Sequence, residues 1–200
     1  VLFRSEVHQI IKDRRVTING EITTKKDIHI DIDIDAVAVD GQTVNTTQLY
    51  YVKFHKPKGY VTAVEDSTHP VVMDLLPPEY LKMGVVPVGR LDKDTEGLLL
   101  LTNDGVWGHS IINGHKHVPK VYYVEFEGEL SEEGIQRIKE GIVLGDGTQC
   151  KPALIKLLSD QSATITIEEG KYHQVKRMIG AAGGTVSYLK RLTIGHVDLN

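Results

Sequence analysis

Gly89-Arg90-Leu91-Asp92-Lys93-Asp94-Thr95-Glu96-Gly97, running on into Leu98-Leu99-Leu100-Leu101-Thr102-Asn103-Asp104-Gly105, decides how this chain is read. It is an acidic loop bounded by glycines. Apolar runs flank it, Val85 to Val88 before and Leu98 to Leu101 after. Both runs have the length of strands, and Asn103-Asp104-Gly105 closes the second with a turn signal. Loops carried by rigid neighbours commonly hold binding and catalytic side chains. On chemistry alone, Asp92 and Asp94 could be a glycosidase-like carboxylate pair. They could also be ligands of a metal, although no Asp/His constellation of familiar spacing completes a site. A solvated turn is the third reading. Residue types and spacing do not choose Asp92 over Asp94.

Working outward, Tyr50 to Phe54 reads as a strand that ends in the turn His55-Lys56-Pro57-Lys58-Gly59. Val121 to Phe126 alternates as a strand, Ala163 to Ile167 is another, and Ile194 to Leu199 is the last. Ser131 to Glu140 is a helix, capped by Ser131 and acidic in its first turn. Tyr172 to Ala182 is a second helix, closed by Gly183-Gly184. On it Val175, Met178, Ile179 and Ala182 share the core-facing stripe. His173, Lys176, Arg177 and Gly180 share the other face, next to Gln174. Gly145-Asp146-Gly147 is a hairpin turn rather than a phosphate loop.

Toward the start of the chain, Ser5 to Lys12 is a short helix, and Asn19-Gly20 turns a hairpin that follows Val16 and Ile18. Ile28 to Asp35 alternates strictly with His29, Asp31, Asp33 and Asp35, the pattern of a half-buried strand with a solvated acidic face. Asn45-Thr46-Thr47-Gln48 is short and polar. The chain therefore divides into a module at 1–44, a linker at 45–49 and a domain at 50–200. The small module is marginal alone. Many strands with few helices between them predict an α+β fold with a mixed, largely antiparallel sheet and flanking helices.

The formal net charge is -4 over 200 residues, so binding to a polyanion must rest on how charge is distributed. It is clustered. Lys53, His55, Lys56 and Lys58 lie in 50–62, and Lys171, Lys176, Arg177, Lys190 and Arg191 lie in 171–191; neither stretch holds an acid. Arg4, Lys12, Arg14, Arg15, Lys25 and Lys26 form a third group. Three patches point to a localised polyanion footprint, against the alternative of ordinary surface lysines. One cysteine, Cys150, excludes an intrachain disulfide and fits a reducing cytoplasm. No apolar run reaches the roughly 18 residues of a membrane span. His115 and His117 have no metal-ligand spacing and read as surface loop.

Four segments together resemble the RsuA-type bacterial pseudouridine synthases. Lys56-Pro57-Lys58-Gly59 is similar to the family's first motif, and Gly89 to Gly105 resembles its catalytic motif over the whole length. Lys120-Val121-Tyr122 matches a Lys-x-Tyr motif. Glu169-Gly170-Lys171-Tyr172-His173-Gln174-Val175-Lys176-Arg177-Met178 resembles the third motif, with Tyr-His-Gln where related large-subunit enzymes carry Asn-Arg-Gln. Residues 4–22 resemble the small S4-like RNA-binding module. The resemblance implies that the module's first helix and the tail beyond the last strand are clipped or disordered.

The resemblance implies a catalytic domain that isomerises one uridine of small-subunit (16S) ribosomal RNA, the uridine-516-type site. Alternatives are a 23S ribosomal RNA synthase and a non-catalytic RNA-binding or assembly protein; a glycosidase built on Asp92 and Asp94 is a further alternative. It assigns Asp92 as the essential carboxylate, Tyr122 as the ring that stacks on the flipped base, and Lys176 as the cation beside Asp92, where the family usually has arginine. Lysine keeps the charge and loses the bidentate fork. Expected RNA contacts are Arg90, Lys56, Lys58, Arg14, Arg15, Lys120, His173, Gln174, Arg177 and Arg191. No cofactor or metal is implied. The partner is ribosomal RNA or a ribosomal assembly intermediate, with no membrane, and a monomer is the default expectation.

Overall fold

The computed structural model describes residues 4–31, 34–44, 49–113, 116 and 118–199. The chain divides into two compact units, residues 1–48 and 49–200. The linker expected at 45–49 lies outside the described residues except for Leu49, as do His115 and His117.

The smaller unit opens with α1 (Arg4–Lys12), followed by β1 (Val16–Ile18), β2 (Glu21–Ile22), β3 (Val37–Val39) and β4 (Gln42–Thr43). They form a four-stranded sheet ordered β2-β1-β3-β4. Asn19 and Gly20 both take positive φ, 52° and 86°, which is what a two-residue hairpin with a primed turn requires. The strand expected over Ile28 to Asp35 does not form among its described residues. Asp35 explains why. Its carboxylate accepts from the Asn19 side-chain amide at 2.8 Å and from the Asp31 N–H at 2.9 Å, and its own N–H donates to the Asp31 carbonyl. The chain turns there, and the strand begins at Val37.

The larger unit holds an eight-stranded sheet ordered β5-β7-β11-β8-β10-β9, with β6 paired to β7 and β12 to β11. The strands are β5 (Tyr51–Lys56), β6 (Val86–Val88), β7 (Glu96–Thr102), β8 (Lys120–Gly128), β9 (Leu154–Ser159), β10 (Ser162–Ile167), β11 (Gly184–Ile194) and β12 (Val197–Asp198). Only β7 and β11 run parallel; the other pairings are antiparallel. The sheet is thus mixed and largely antiparallel, in an α+β fold with helices α2 (Pro78–Lys82), α3 (Gly105–Ile112), α4 (Glu132–Glu140) and α5 (Gln174–Ala181).

Alternation decides which face each strand buries. Tyr122, Val124 and Phe126 of β8 join Ala163, Ile165 and Ile167 of β10 in one core, closed by Val175, Met178 and Ile179 of α5 and Ile138 of α4. Leu99 and Leu101 of β7 face a second core with Val72 and Met73, while Leu98 and Leu100 face a third with Val88 and Ile194. The four-leucine run is apolar throughout because both of its faces are covered.

Two expected elements shift. The strand placed at Ile194 to Leu199 is broken: Ile194 ends the long β11, Gly195 turns with φ 58°, and Val197 pairs back onto Ile194. The helix placed at Tyr172 to Ala182 starts only at Gln174, because His173 is left-handed, with φ 47°. Tyr172 and His173 stand outside the helix.

Candidate active site

The β7–β11 joint sets the site. Lys190 and Arg191 lie opposite Glu96 and Gly97. A Cβ on Gly97 would lie 2.2 Å from the Arg191 carbonyl oxygen, and Gly97 has φ 112°. Only glycine permits this approach, which brings the end of the 89–97 loop against β11.

The loop is held by side chains that give their polar groups to its backbone. Thr62 Oγ1 accepts from the Leu91 N–H at 3.1 Å and donates to the Leu91 carbonyl at 2.8 Å. The Gly59 N–H donates to the Lys93 carbonyl at 2.7 Å. Lys56 is 0% exposed, and its ammonium donates to the carbonyls of Thr95 at 2.7 Å, Asp92 at 3.0 Å, Pro57 at 3.1 Å and Lys93 at 3.4 Å. Burial pulls its pKa down to about 8, against the opposing pull of Asp94, Asp92 and Glu96. Lys56 therefore ties the loop from beneath. It is not the RNA contact expected from sequence, since no phosphate reaches a fully buried ammonium.

On this base the Asp92 side chain stays partly open, and two side chains, Lys176 and His173, converge on the acidic pair. Lys176 Nζ sits 3.1 Å from Asp92 Oδ2 and 2.5 Å from Asp94 Oδ1. His173 Nε2 sits 3.4 Å from Asp92 Oδ1. Burial works against the Lys176 charge, but its hydrogen bonds to Asp94 and Asp92 outweigh that and raise its pKa above the ordinary value. For Asp94, burial acts to raise the pKa, and the Lys176 hydrogen bond and charge lower it further than burial raises it. One lysine thus bridges both carboxylates.

A cleft of about 770 Å³ opens over Asp92, lined among others by Arg90, Lys120, Tyr122, Tyr172, His173 and Arg191. Tyr122 is buried, and its hydroxyl accepts from Arg191 Nη1 at 3.4 Å. Arg191 is 3% exposed; its Nε donates to the Leu98 carbonyl at 2.7 Å, and its Nη2 has no partner among the described residues. It is a buried part of the cleft wall, not the surface phosphate contact expected. Gln174 is also corrected. It is 4% exposed, receives the Lys171 N–H at 2.9 Å and donates to Glu169 at 2.6 Å, so it fastens the turn before α5.

The other expected contacts divide. Arg90 is exposed at the cleft and has no hydrogen-bond or ion-pair partner among the described residues. Lys120 lines the cleft wall and donates to the Val118 carbonyl at 2.9 Å; burial and the nearby Arg191 charge lower its pKa. Arg177 pairs with Asp146 at 2.5 Å and donates to the Tyr172 carbonyl at 3.3 Å. Lys58 is exposed and lies 4.3 Å over the Tyr188 ring, outside the cleft lining. Arg14 and Arg15 belong to the smaller unit, where Arg15 forms a two-point pair with Asp40. Among the described residues, no group of three or more His, Cys, Asp or Glu could hold a metal, and no helix is long and apolar enough to cross a membrane.

Sequence reasoning missed Thr62 and left Tyr172 without a role. No local signal marks Thr62. Tyr172 could have been found as an aromatic residue one position ahead of a cationic face.

A partly open carboxylate with a shared lysine, on a clamped loop beneath an open and cation-bordered cleft, suits an enzyme whose substrate is a polyanion. A family model described as RNA pseudouridylate synthase matches residues 50–181. The RNA pseudouridine synthase YtzG of Bacillus subtilis (strain 168) is 42% identical over 98% of this chain and 84% of its own. The ribosomal small subunit pseudouridine synthase A of Pasteurella multocida (strain Pm70) is 36% identical over 100% of this chain and 86% of its own. A crystal structure of a pseudouridylate synthase superposes with a TM-score of 0.71 at 35% identity, over 100% of this chain and 86% of that one. The chain belongs to the RNA pseudouridylate synthase family. It is an RNA pseudouridine synthase, an isomerase that converts uridine in RNA to pseudouridine.

Proposed function

We propose that this enzyme converts one uridine of small-subunit (16S) ribosomal RNA, the uridine-516-type site, and that Asp92 is its catalytic carboxylate. The observation that carries the site assignment is the Asp92–Lys176 pair at 3.1 Å on a loop whose carbonyls are tied to Lys56. The small-subunit assignment is supported by likeness to relatives named for that activity. The Tyr172-His173-Gln174 signature points the same way.

The reaction breaks the bond between uracil N1 and ribose C1′, turns the base, and joins C5 to C1′ with loss of the C5 proton. A stacked uridine must first be flipped into the cleft, at a cost of a few kcal/mol. The Lys176 ammonium, 3.1 Å away, holds the Asp92 carboxylate in place for its attack or proton transfer. Tyr122 stacks on the flipped base, and its phenol assists removal of the C5 proton. The Arg191 donor on that phenol fixes the orientation of the ring. Arg90 holds the opened strand at the lip. Asp92 is chosen over Asp94 because it is the more enclosed of the two: their side chains are 30% and 72% exposed.

The smaller unit, with Arg14 and Arg15, is read as an S4-like RNA-docking module. The partner is ribosomal RNA or an assembly intermediate, and the setting is the cytoplasm. Incubation with small-subunit RNA, followed by carbodiimide treatment and primer extension, tests the reading. One new stop in 16S RNA is expected. A stop only in 23S RNA would overturn the substrate assignment, and stops in neither would favour a binding protein.

A further inference from the structure

Between Glu169 and Gln174 the turn is fixed at several points. Glu169 Oε1 accepts the Lys151 N–H at 2.9 Å and the Gln174 amide at 2.6 Å. Gln174 in turn receives the Lys171 N–H. Arg177 donates to the Tyr172 carbonyl while pairing with Asp146. His173, held left-handed at φ 47°, reverses the chain into α5. A non-glycine residue in that region carries strain and persists where its surroundings over-determine it.

All of this order serves a ring that the protein leaves open. Tyr172 is 76% exposed, yet its ring stacks on His173 with centroids 3.8 Å apart and planes 18° apart. His173 is itself aimed at Asp92. The result is a two-ring stack that starts at the catalytic carboxylate and ends in solvent, on a fixed backbone, with both rings lining the cleft. Exposing a large aromatic face forgoes the burial that tyrosine usually gains. A nucleobase offers the matching surface: every base has a π-face, and stacking on an aromatic side chain is insensitive to sequence.

We propose that Tyr172, stacked on His173, is a platform for the nucleobase next to the flipped uridine. The proposal rests on reading the cleft as the uridine site. When the target leaves its stack, the neighbouring base loses a partner, and the outer face of Tyr172 replaces it. Tyr172 is thus a positioning residue. It favours the opened strand without touching the reacting atoms, so it governs KM more than kcat.

The test compares wild type, Tyr172→Phe and Tyr172→Leu on transcribed small-subunit ribosomal RNA. Stacking predicts that Tyr172→Leu raises KM by roughly 5- to 100-fold with kcat little changed, and that Tyr172→Phe restores the wild-type value. A short RNA carrying 2-aminopurine beside the modified uridine adds a direct signal. Its fluorescence should fall on binding wild type or Tyr172→Phe, and not on binding Tyr172→Leu. Wild-type turnover with an unchanged KM and equal quenching in Tyr172→Leu would overturn the platform alone. Absence of pseudouridine with wild type would overturn the functional reading and the platform with it.

Discussion

The 89–97 loop and the smaller unit hold similar residues in different settings. Around residues 89–97 the polar groups turn inward: Lys56, Thr62 and Arg191 are all buried and bonded to backbone. In the smaller unit α1 buries no residue, and the Arg15–Asp40 pair is half exposed on both sides. A site that stabilises a transition state needs groups fixed before substrate arrives. A docking surface needs only charge that counterions can leave. On the proposed reading, losing a lysine or arginine therefore gives a chemical defect in the loop and a salt-sensitive affinity defect in the smaller unit.

The largest effect belongs to Asp92→Asn. It should lower turnover by roughly 10⁴-fold or more while RNA still binds in a gel-shift assay. Lys176→Met comes next, with a loss of about 10²-fold in single-turnover rate and little change in Kd. Equal losses in rate and binding would reduce Lys176 to a phosphate contact.

Lys56→Met should lower both activity and stability, the latter by about 2 kcal/mol in urea unfolding, because the loop carbonyls that Lys56 satisfies are left buried without a donor. Its pH behaviour is a sharper signature. The folded pKa of about 8 lies below the ordinary 10.5, so the folded chain sheds this proton first. Below pH 8 the buried charge carries its full cost. Between about 8 and 10.5 the unfolded chain binds more protons, and this group's contribution to stability rises with pH. Activity should move the opposite way over that window, as the ammonium that ties the loop is lost. Lys56→Met should abolish that alkaline limb.

Asp94→Asn should have a smaller effect, roughly two- to fivefold on kcat/KM, since Asp94 is mostly exposed. It leaves Lys176 to Asp92 alone. Arg14→Ala should be the mildest change, weakening RNA binding with a salt slope reduced by about 1 and an unaltered rate of the bound complex.

What the sequence revealed follows the same division. Alternation in Val121 to Phe126 and Ala163 to Ile167, and the Ser131 cap, marked elements that the structure contains. Ile28 to Asp35 misled because the periodicity of a strand cannot show that Asp35 will bond to Asn19 and turn the chain. β9 was not seen because five of its six residues are exposed, which erases the alternation. In the site, charge was legible and burial was not. Lys56, Gln174 and Arg191 looked like surface donors, and each is buried: strand pairing places Lys56 and Arg191, and the turn at Glu169 draws in Gln174. The Asp92–Lys176 contact spans distant segments that only the fold brings together, so the motif resemblance had to stand in for geometry.

Tritium release from small-subunit RNA labelled at uridine C5 tests the central claim most directly, since joining C5 to C1′ must free that hydrogen. Wild-type enzyme should release about one equivalent per RNA under single-site modification, and Asp92→Asn should bind the same RNA and release none. Release by Asp92→Asn at a rate near wild type would contradict the assignment of Asp92.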